Sequence, residues 1–238
     1  MAAASAFEQA YGPCAPVFRE LRAFLGRAVR AMVEQGVDGF LVFGAGVPTR
    51  GNVHEVATDA TVLYTDVDPV TIRLGQSILA GSDRAGYGFG DATDIGTIDP
   101  SQLHRFVSGW GRRPVGVVFL GLAAFLDDAT VTHTLDELCS AAAPGSLLAV
   151  DFDTEELAGH PQALAMMGPQ FRMRPPAAFA PLLGRWAPTA DGSSRSPSGD
   201  RPVCRRRCRT RSTAFSRPAR ATDRAGSTVR VVRMMLAL

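Results

Sequence analysis

Five short apolar segments alternate with helical segments between residues 39 and 152, and this alternation constrains the fold more than any other feature. Each segment is nearly continuous in hydrophobic residues, as is typical of strands buried on both faces of a sheet. The segments are GFLVFG, TVLYTD, AGYGFGDA, PVGVVFLGL and SLLAVDF. Because parallel strands need a crossover helix between them, the pattern predicts an α/β fold with a mostly parallel sheet and helices on both faces.

Helix signals fill the intervals before and between these strands. In FRELRAFLGRAVRAMVEQG the apolar residues recur at helical spacing from Leu21 to Met32, and Gly36 follows as a C-terminal cap. After the first strand, Asn52 stands at an N-cap position with Glu55 three residues later. We therefore predict a helix that starts with a capping box in GNVHEVA.

The first apolar strand ends in a Gly-Ala-Gly turn. Gly44 and Gly46 carry no Cβ, so backbone N–H groups there could approach a ligand closely. A dinucleotide fingerprint would need a third glycine where the chain has Thr49, and Pro48 stiffens the loop where a pyrophosphate would need free amides. The turn is therefore a poor match to an NAD site.

Two aspartates follow the next two strands. Asp66 stands 20 residues after Gly46, where a carboxylate can accept both hydroxyls of a ribose, and Asp91 could reach an exocyclic amine such as that of adenine. Since the carboxyl ends of parallel strands meet at one edge of a sheet, the turn and the two aspartates predict an S-adenosylmethionine site. The alternative is that the aspartates only cap helices or lie in solvated loops.

Longer motifs occur in a fixed order from about residue 18 to residue 190. They are LRAFLGRAV, FLVFGAGVPTRGNVHE, VLYTDVDPV, LAGSDR, GDATDI, RPVGVVFL and AAPGSLL. In these motifs the chain resembles the S-adenosyl-L-methionine-dependent methyltransferases of high-GC bacteria, a family with the Rossmann-like class I fold. The resemblance implies that the cofactor contacts come from the strand ends and from the loop at the mouth, with these residues: Gly44, Ala45, Gly46, Thr49, Asn52, Asp66, Val67, Asp91 and Ala92.

Within that resemblance the expected roles differ along the chain. The Gly-Ala-Gly turn would lie beneath the methionine part, Asp66 would hold the ribose, and Val67 would lie beside the adenine. Asp91 and Ala92 would meet the adenine edge. His54 and Glu55 belong to the family-specific loop; His54 could act as a general base, although a lone helical histidine is more often structural.

The chain also departs from the family pattern. Val42 replaces the acidic residue two positions before the first glycine, and Ala124 stands where relatives often carry a histidine. Residues 1–17 show no clear counterpart of the family's N-terminal motif, and we expect no final sheet hairpin after residue 190. Cofactor binding is therefore better supported than methyl transfer.

Three functions compete. The first is a methyltransferase that acts on a small-molecule acceptor; alignment of nucleophile, methyl group and sulfur supplies most of the rate, so a missing base does not rule it out. The second is a protein of the same fold that binds S-adenosylmethionine or S-adenosylhomocysteine without transfer. The third is a truncated gene product that folds poorly.

Charge divides the chain near Gly192. Residues 1–192 hold 13 arginines against 21 acidic residues, a net charge of −8, while residues 193–238 hold 12 arginines against two aspartates, a net charge of +10. We predict an N-terminal helical segment (1–37), a Rossmann-like S-adenosylmethionine-binding domain (38–192) and an Arg-rich disordered tail (193–238). Translation in a shifted frame and a nucleic-acid-binding arm are alternatives for the tail, which has few aromatic residues for base stacking. Its last segment, STVRVVRMMLAL, could add one strand.

Composition excludes several other classes. No apolar run approaches the roughly 18 residues that cross a bilayer, and the N-terminus lacks the features of a signal peptide. Only Cys204 and Cys208 lie close together, with no second Cys/His pair at zinc-site spacing. We expect a cytoplasmic protein with reduced thiols, no metal and no membrane contact.

Overall fold

The computed structural model describes residues 2–13, 15–153, 155–193 and 231–237, which contain eight helices and seven strands. The helices are α1 (Ala2–Tyr11), α2 (Ala15–Glu34), α3 (Val53–Val56), α4 (Pro69–Ile78), α5 (Pro100–Phe106), α6 (Asp128–Ala141), α7 (Pro161–Met166) and α8 (Pro176–Phe179). The strands are β1 (Gly39–Phe43), β2 (Thr61–Asp66), β3 (Ala85–Phe89), β4 (Gly116–Phe119), β5 (Leu147–Asp153), β6 (Ala187–Ser193) and β7 (Val231–Ala237). Short 3-10 turns cover Ile95–Thr97, Ala123–Phe125, Glu155–Gly159 and Ala180–Leu183.

The strands form one sheet in the order β3-β2-β1-β4-β5-β7-β6. Strands β1 to β5 are parallel, as the five apolar segments predict, and their register pairs Phe40 with both Val62 and Gly116. The strand order reverses direction between β1 and β4. In such sheets a ligand binds in the crevice outside the carboxyl ends of the strands at this reversal, which here carries the Gly-Ala-Gly turn.

Alternate side chains of the parallel strands fill two separate cores. Phe40 and Val42 face α2, whose Val29 and Met32 are fully buried, while Leu41 faces α5 and α6 on the other side of the sheet. The predicted periodicity of α2 is confirmed, and Gly36 ends the helix with a φ of 87°. Both faces of the sheet are therefore covered, as the Rossmann-like fold requires.

The N-terminal residues form a helix over the carboxyl side of the sheet. Tyr11 of α1 packs in a third apolar cluster with Ala163 of α7 and with Phe171. The ring of Tyr11 also lies 4.9 Å from the ring of His160. The structure therefore places a helix, α1, within residues 1–17, where the sequence showed no clear counterpart of the family's N-terminal motif.

The expectation that the final hairpin is absent is wrong. β6 and β7 pair antiparallel with each other, and β7 pairs with β5 over its full length, with Leu147 opposite Ala237 and Asp153 opposite Val231. The segment that could add one strand therefore does so, and within the predicted tail (193–238) Ser193 and residues 231–237 lie in strands. Residues 194–230, where the rest of the tail prediction falls, lie outside the described residues.

Two predicted helices are shorter than expected. The helix in GNVHEVA is the single turn α3, and the segment RPPAAFAPLLGRW divides into α8 and the 3-10 turn Ala180–Leu183. Pro175 and Pro176 at the start and Pro181 within the segment remove backbone donors, which limits a regular helix there. Among the helices of the described residues, none is both long and apolar enough to cross a membrane.

Candidate functional site

The Gly-Ala-Gly turn at the carboxyl end of β1 presents bare backbone. Gly44 and Gly46 have φ values of 53° and 59°, in the left-handed region that favours glycine. The Ala45 N–H donates to Thr65 O at 3.0 Å, which ties the turn to β2. A Cβ on Gly46 would meet no atom within 4 Å, whereas a Cβ on Gly44 would lie 2.6 Å from Leu122 Cδ2. Gly44 is exposed, with Leu122 packed on the side where its Cβ would lie, and the corresponding side of Gly46 is open.

The carboxylate of Asp66 is held against this turn. Gly46 N–H donates to Asp66 Oδ2 at 3.1 Å, and the N–H groups of Val67 and Asp68 donate to Oδ1 at 2.8 and 3.0 Å. An ionised carboxylate has about four lone-pair sites, so these three donors fix Asp66 and leave it capacity to accept another hydrogen bond. Val67, beside it, is 55% exposed and gives the site an apolar surface.

Asp91 lies at the next strand end. Gly90 N–H donates to Asp66 O at 3.2 Å, so the chain after β3 runs beside the end of β2. Asp91 Oδ1 accepts from the N–H and the hydroxyl of Thr93 at 2.8 and 2.7 Å, and Ala92 packs half-buried against the core on the α5 side. The structure thus brings the turn, Asp66 and Asp91 to neighbouring strand ends, while Asp91 also stabilises its own loop.

Asp68 has the alternative role that the sequence left open for the aspartates, because it caps a helix. Its Oδ2 accepts from the N–H and the hydroxyl of Thr71 at 2.7 and 2.6 Å and so caps α4. These two hydrogen bonds lower the pKa of Asp68 below its usual value. Asp66 and Asp68 therefore differ in role, although they stand two residues apart.

Tyr87 of β3 is a site residue that sequence reasoning missed. Its hydroxyl donates to Gly46 O at 2.8 Å across 41 residues of chain. Burial raises the pKa of Tyr87, and the carboxylates of Asp66 and Asp68 raise it further, so the hydroxyl stays protonated and remains a donor. The only sequence signal was an aromatic residue inside the glycine-rich segment AGYGFG.

The mouth residues Asn52 and Glu55 form a structural network. Asn52 is 6% exposed; its Oδ1 accepts from Arg22 Nη1 at 3.1 Å, and its Nδ2 donates to Glu55 Oε1 at 2.8 Å. The other Glu55 oxygen accepts from Gly51 N–H at 2.8 Å. Burial raises the pKa of Glu55, but these hydrogen bonds outweigh it and leave the pKa below its usual value. The Asn52 half of the predicted capping box does not form, since Asn52 occupies the N-cap position without a side-chain cap hydrogen bond, whereas the Glu55 carboxylate does contact the Asn52 backbone N–H.

His54 is engaged with Tyr64 of β2. Its backbone N–H donates to the Tyr64 hydroxyl at 3.0 Å, and its Nδ1 lies 2.8 Å from the same oxygen. Burial raises the pKa of Tyr64, so the hydroxyl keeps a proton that it can donate to Nδ1. The contact holds the His54 ring against β2. A general-base role for His54 stays a prediction, as does a ligand contact for the exposed Thr49.

The loop after β4 is held in place by residues from distant parts of the chain. Gly121 N–H donates to Oδ1 of Asp151, a buried carboxylate within β5, at 2.6 Å. Arg174, only 4% exposed, donates to Ala123 O at 2.7 Å and also to Leu126 O. This is the loop that places Leu122 beside Gly44. No sequence pattern indicates that Arg174 is buried, since arginine is usually exposed.

Both departures from the family pattern lie in the core. Val42 is 6% exposed among the residues that face α2, and Ala124 is 2% exposed in the cluster around Tyr11. Neither position supplies a polar group to the strand ends. Among the described residues, no group of three or more His, Cys, Asp or Glu side chains could hold a metal ion.

Comparisons with known proteins agree with this fold. The model of a family described as S-adenosyl methyltransferase matches residues 1–183. A DUF574 family protein from Streptomyces avermitilis is similar in structure, with 27% identity, a TM-score of 0.68, and coverage of 80% of this chain and 78% of that one. A methyltransferase candidate from Thermobifida fusca has 23% identity, a TM-score of 0.76, and coverage of 99% and 86%.

A more distant similarity concerns the fold alone. The magnesium protoporphyrin IX methyltransferase of Synechocystis, solved with bound S-adenosylmethionine, has 11% identity, a TM-score of 0.56, and coverage of 98% of this chain and 89% of that one. No curated protein matches the chain significantly.

Proposed function

Because the chain belongs to the S-adenosyl methyltransferase family, we propose that it transfers a methyl group from S-adenosyl-L-methionine to a small-molecule acceptor. The observation that carries the proposal is the hydrogen bond between Gly46 N–H and the Asp66 carboxylate. It joins a bare-backbone turn and a fixed anion at adjacent strand ends. A nucleoside needs this combination: close backbone approach and an acceptor for ribose hydroxyls.

The residues at the strand ends fit the nucleoside part of this cofactor. Asp66 is fixed by three backbone donors and keeps acceptor capacity for a ribose hydroxyl. Val67 offers an exposed apolar surface for the adenine, with Asp91 and Ala92 beside it at the end of β3. Gly44, Ala45 and Gly46 would lie beneath the methionine part, with room above Gly46. When bound, the cofactor supplies a methyl group already activated on a sulfonium.

The covered acceptor side supports a small acceptor. Helices α1 and α7 pack together over the loop after β4, with the rings of Phe125 and Phe171 5.5 Å apart. We propose that this packing borders the acceptor side, where it favours a small molecule over a macromolecule. Alignment of the acceptor, the methyl group and the sulfur supplies much of the rate of methyl transfer. A base is needed only for an acceptor that must lose a proton, and His54 is the residue proposed for it.

Binding is tested by isothermal titration of the unmodified protein with S-adenosylhomocysteine, compared with Asp66→Ala. We expect Asp66→Ala to lose at least tenfold in affinity, because ribose hydroxyls would face no fixed anion. Asp68→Ala is the matched control: it removes a carboxylate two residues away that caps α4, so we expect a lower melting temperature with affinity unchanged within about twofold. Equal affinity in the unmodified protein and Asp66→Ala would refute the site assignment.

A second function is favoured by a specific observation, the position of Leu122. This side chain packs beside the exposed Gly44, where the methionine part of the cofactor would lie. A protein of this family could then bind the nucleoside and not transfer the methyl group. Incubation with radiolabelled S-adenosylmethionine and a panel of phenols, amines and carboxylic acids distinguishes the two. Formation of S-adenosylhomocysteine with any acceptor would exclude the non-transferring alternative.

A further inference from the structure

We infer that Tyr87 is a positioning residue for cofactor binding, which it serves by fixing the Gly46 turn against Asp66 through its hydroxyl. The inference rests on the proposed function, since it assigns Tyr87 to the same site. Tyr87 is on β3, the edge strand of the sheet, and its backbone pairs with Tyr64 of β2. The residue is 4% exposed, so the hydroxyl acts inside the protein.

Gly46 is held from both sides of the site. Its C=O accepts from the Tyr87 hydroxyl at 2.8 Å, and its N–H donates to Asp66 Oδ2 at 3.1 Å. A chain of hydrogen bonds therefore runs from β3 through the turn after β1 to the end of β2. Gly46 needs such support, because a glycine at a φ of 59° has many other conformations available to it.

The surrounding residues accommodate the Tyr87 ring specifically. The ring stacks on Tyr64 at a centroid distance of 6.0 Å, and Gln76 Nε2 donates to Tyr87 O at 3.1 Å. On α4, a Cβ on Gly75 would lie 2.2 Å from Tyr87 Cδ2. A glycine within a helix is unfavourable relative to alanine, and here it provides the space that the ring occupies.

Tyr64 provides a matched comparison. It is 3% exposed, it stacks on Tyr87, and its hydroxyl also hydrogen-bonds to the backbone, as the acceptor of His54 N–H at 3.0 Å. Replacing either tyrosine by phenylalanine removes one buried hydroxyl and keeps the ring. Only the Tyr87 change removes a bond to the turn that carries the proposed cofactor contacts.

The experiment measures S-adenosylhomocysteine affinity by isothermal titration, with melting temperatures in parallel, for the unmodified protein, Tyr87→Phe and Tyr64→Phe. We expect both variants to lose thermal stability, and Tyr64→Phe to lose at least as much, because the Tyr64 hydroxyl contacts both the N–H and the Nδ1 of His54. Affinity should fall about three- to tenfold in Tyr87→Phe, the range that loss of one hydrogen bond gives, and change less than twofold in Tyr64→Phe. Affinity loss confined to Tyr87→Phe supports the inference.

Other outcomes overturn it. Affinity that is unchanged in Tyr87→Phe, or that falls equally in both variants, would show that the Tyr87 hydroxyl has no specific effect. If Tyr87→Phe does not fold, Gly75→Ala is measured instead, because this variant keeps the Tyr87 hydroxyl but crowds the ring that carries it. Weakened binding by Gly75→Ala supports the inference, and unchanged binding overturns it. If the unmodified protein does not bind S-adenosylhomocysteine, the proposed function fails and this inference fails with it; binding by the unmodified protein with equal affinity in Tyr87→Phe refutes the inference alone.

Discussion

Replacing Arg174 by methionine should destabilise the protein far more than replacing an exposed arginine, because Arg174 is buried and holds the loop after β4. Its Nε donates to Asp128 Oδ1 at 2.8 Å and its Nη1 to Ala123 O at 2.7 Å, and Nη2 donates to Leu126 O. The Arg174 side chain is 5% exposed, whereas that of Asp128 is 70% exposed. The bonds to the two carbonyls therefore carry most of the effect.

The expected size follows from these contacts. A hydrogen bond to a charged group contributes roughly 1.5–3 kcal/mol, and an exposed ion pair such as the one to Asp128 adds at most about 1 kcal/mol. Arg174→Met would leave the Ala123 and Leu126 carbonyls without these donors. Since burial of the guanidinium offsets part of the gain, we expect a loss of about 3–5 kcal/mol in the free energy of unfolding.

Arg185→Met is the matched control, measured beside it by urea denaturation of the full chain. Arg185 also makes several hydrogen bonds, to Asp136 and to Ser140, but its side chain is 56% exposed. Solvent screens these contacts, so we expect a loss below about 1 kcal/mol. Equal losses for Arg174→Met and Arg185→Met would refute the reasoning that burial decides the contribution of these arginines.

Two further predictions concern stability. Hydrogen bonds from the first turns of three helices lower the pKa of the aspartates that cap them. The stability that these caps contribute is therefore fully present above the unfolded pKa of about 3.9, and it is lost as the pH falls through the lower pKa of the folded state. Asparagine does not titrate in this range. When Asp68, Asp99 and Asp127 are replaced by asparagine, the melting temperature should therefore fall less steeply below pH 4. Gly86→Ala should lower the free energy of unfolding by about 1–3 kcal/mol, because the added Cβ would lie 2.3 Å from Phe106 Cε2. Gly159→Ala is its control in the same urea titration: no atom lies within 4 Å of the added Cβ, so this change should be nearly neutral. A flat acid profile in the unmodified protein, or equal effects of the two alanines, would contradict these predictions.

The parallel sheet could be predicted from sequence because its signal is local. Each strand from β1 to β5 contains a run of at least four buried residues, and Phe40 to Phe43 are all less than 10% exposed. Such runs contrast with the amphipathic helices between them, so the order of elements is visible without any knowledge of pairing. The positions of the turn and of Asp66 follow from that order, because parallel strands place their carboxyl ends together.

The hairpin could not be predicted for a physical reason. β7 pairs with β5, so Leu147 and Ala237 meet across 90 residues of chain, and no local pattern reports such a contact. The arginine-rich composition between residues 194 and 230 also interrupts the hydrophobic periodicity that marked the earlier elements. The apolar composition of β7 indicates a strand, but nothing in the sequence indicates which strand it pairs with.

Side-chain roles at the site depended on contacts that spacing does not encode. Glu55 follows Asn52 by three residues, as a capping box requires, yet its carboxylate accepts from Gly51 N–H and from the Asn52 side chain. Tyr87 and Arg174 act on residues about 40 to 50 positions away. Their roles become visible only when the fold has placed the strand ends together.

The central claim is that the ends of β1, β2 and β3 form one nucleoside site, and a crystal structure with S-adenosylhomocysteine tests it most directly. We predict ribose hydroxyls within hydrogen-bond distance of the Asp66 carboxylate, the adenine against Val67, and its amine edge at Asp91 and Ala92. A nucleoside bound elsewhere, with Asp66 facing only Gly46 and its own loop, would contradict the claim.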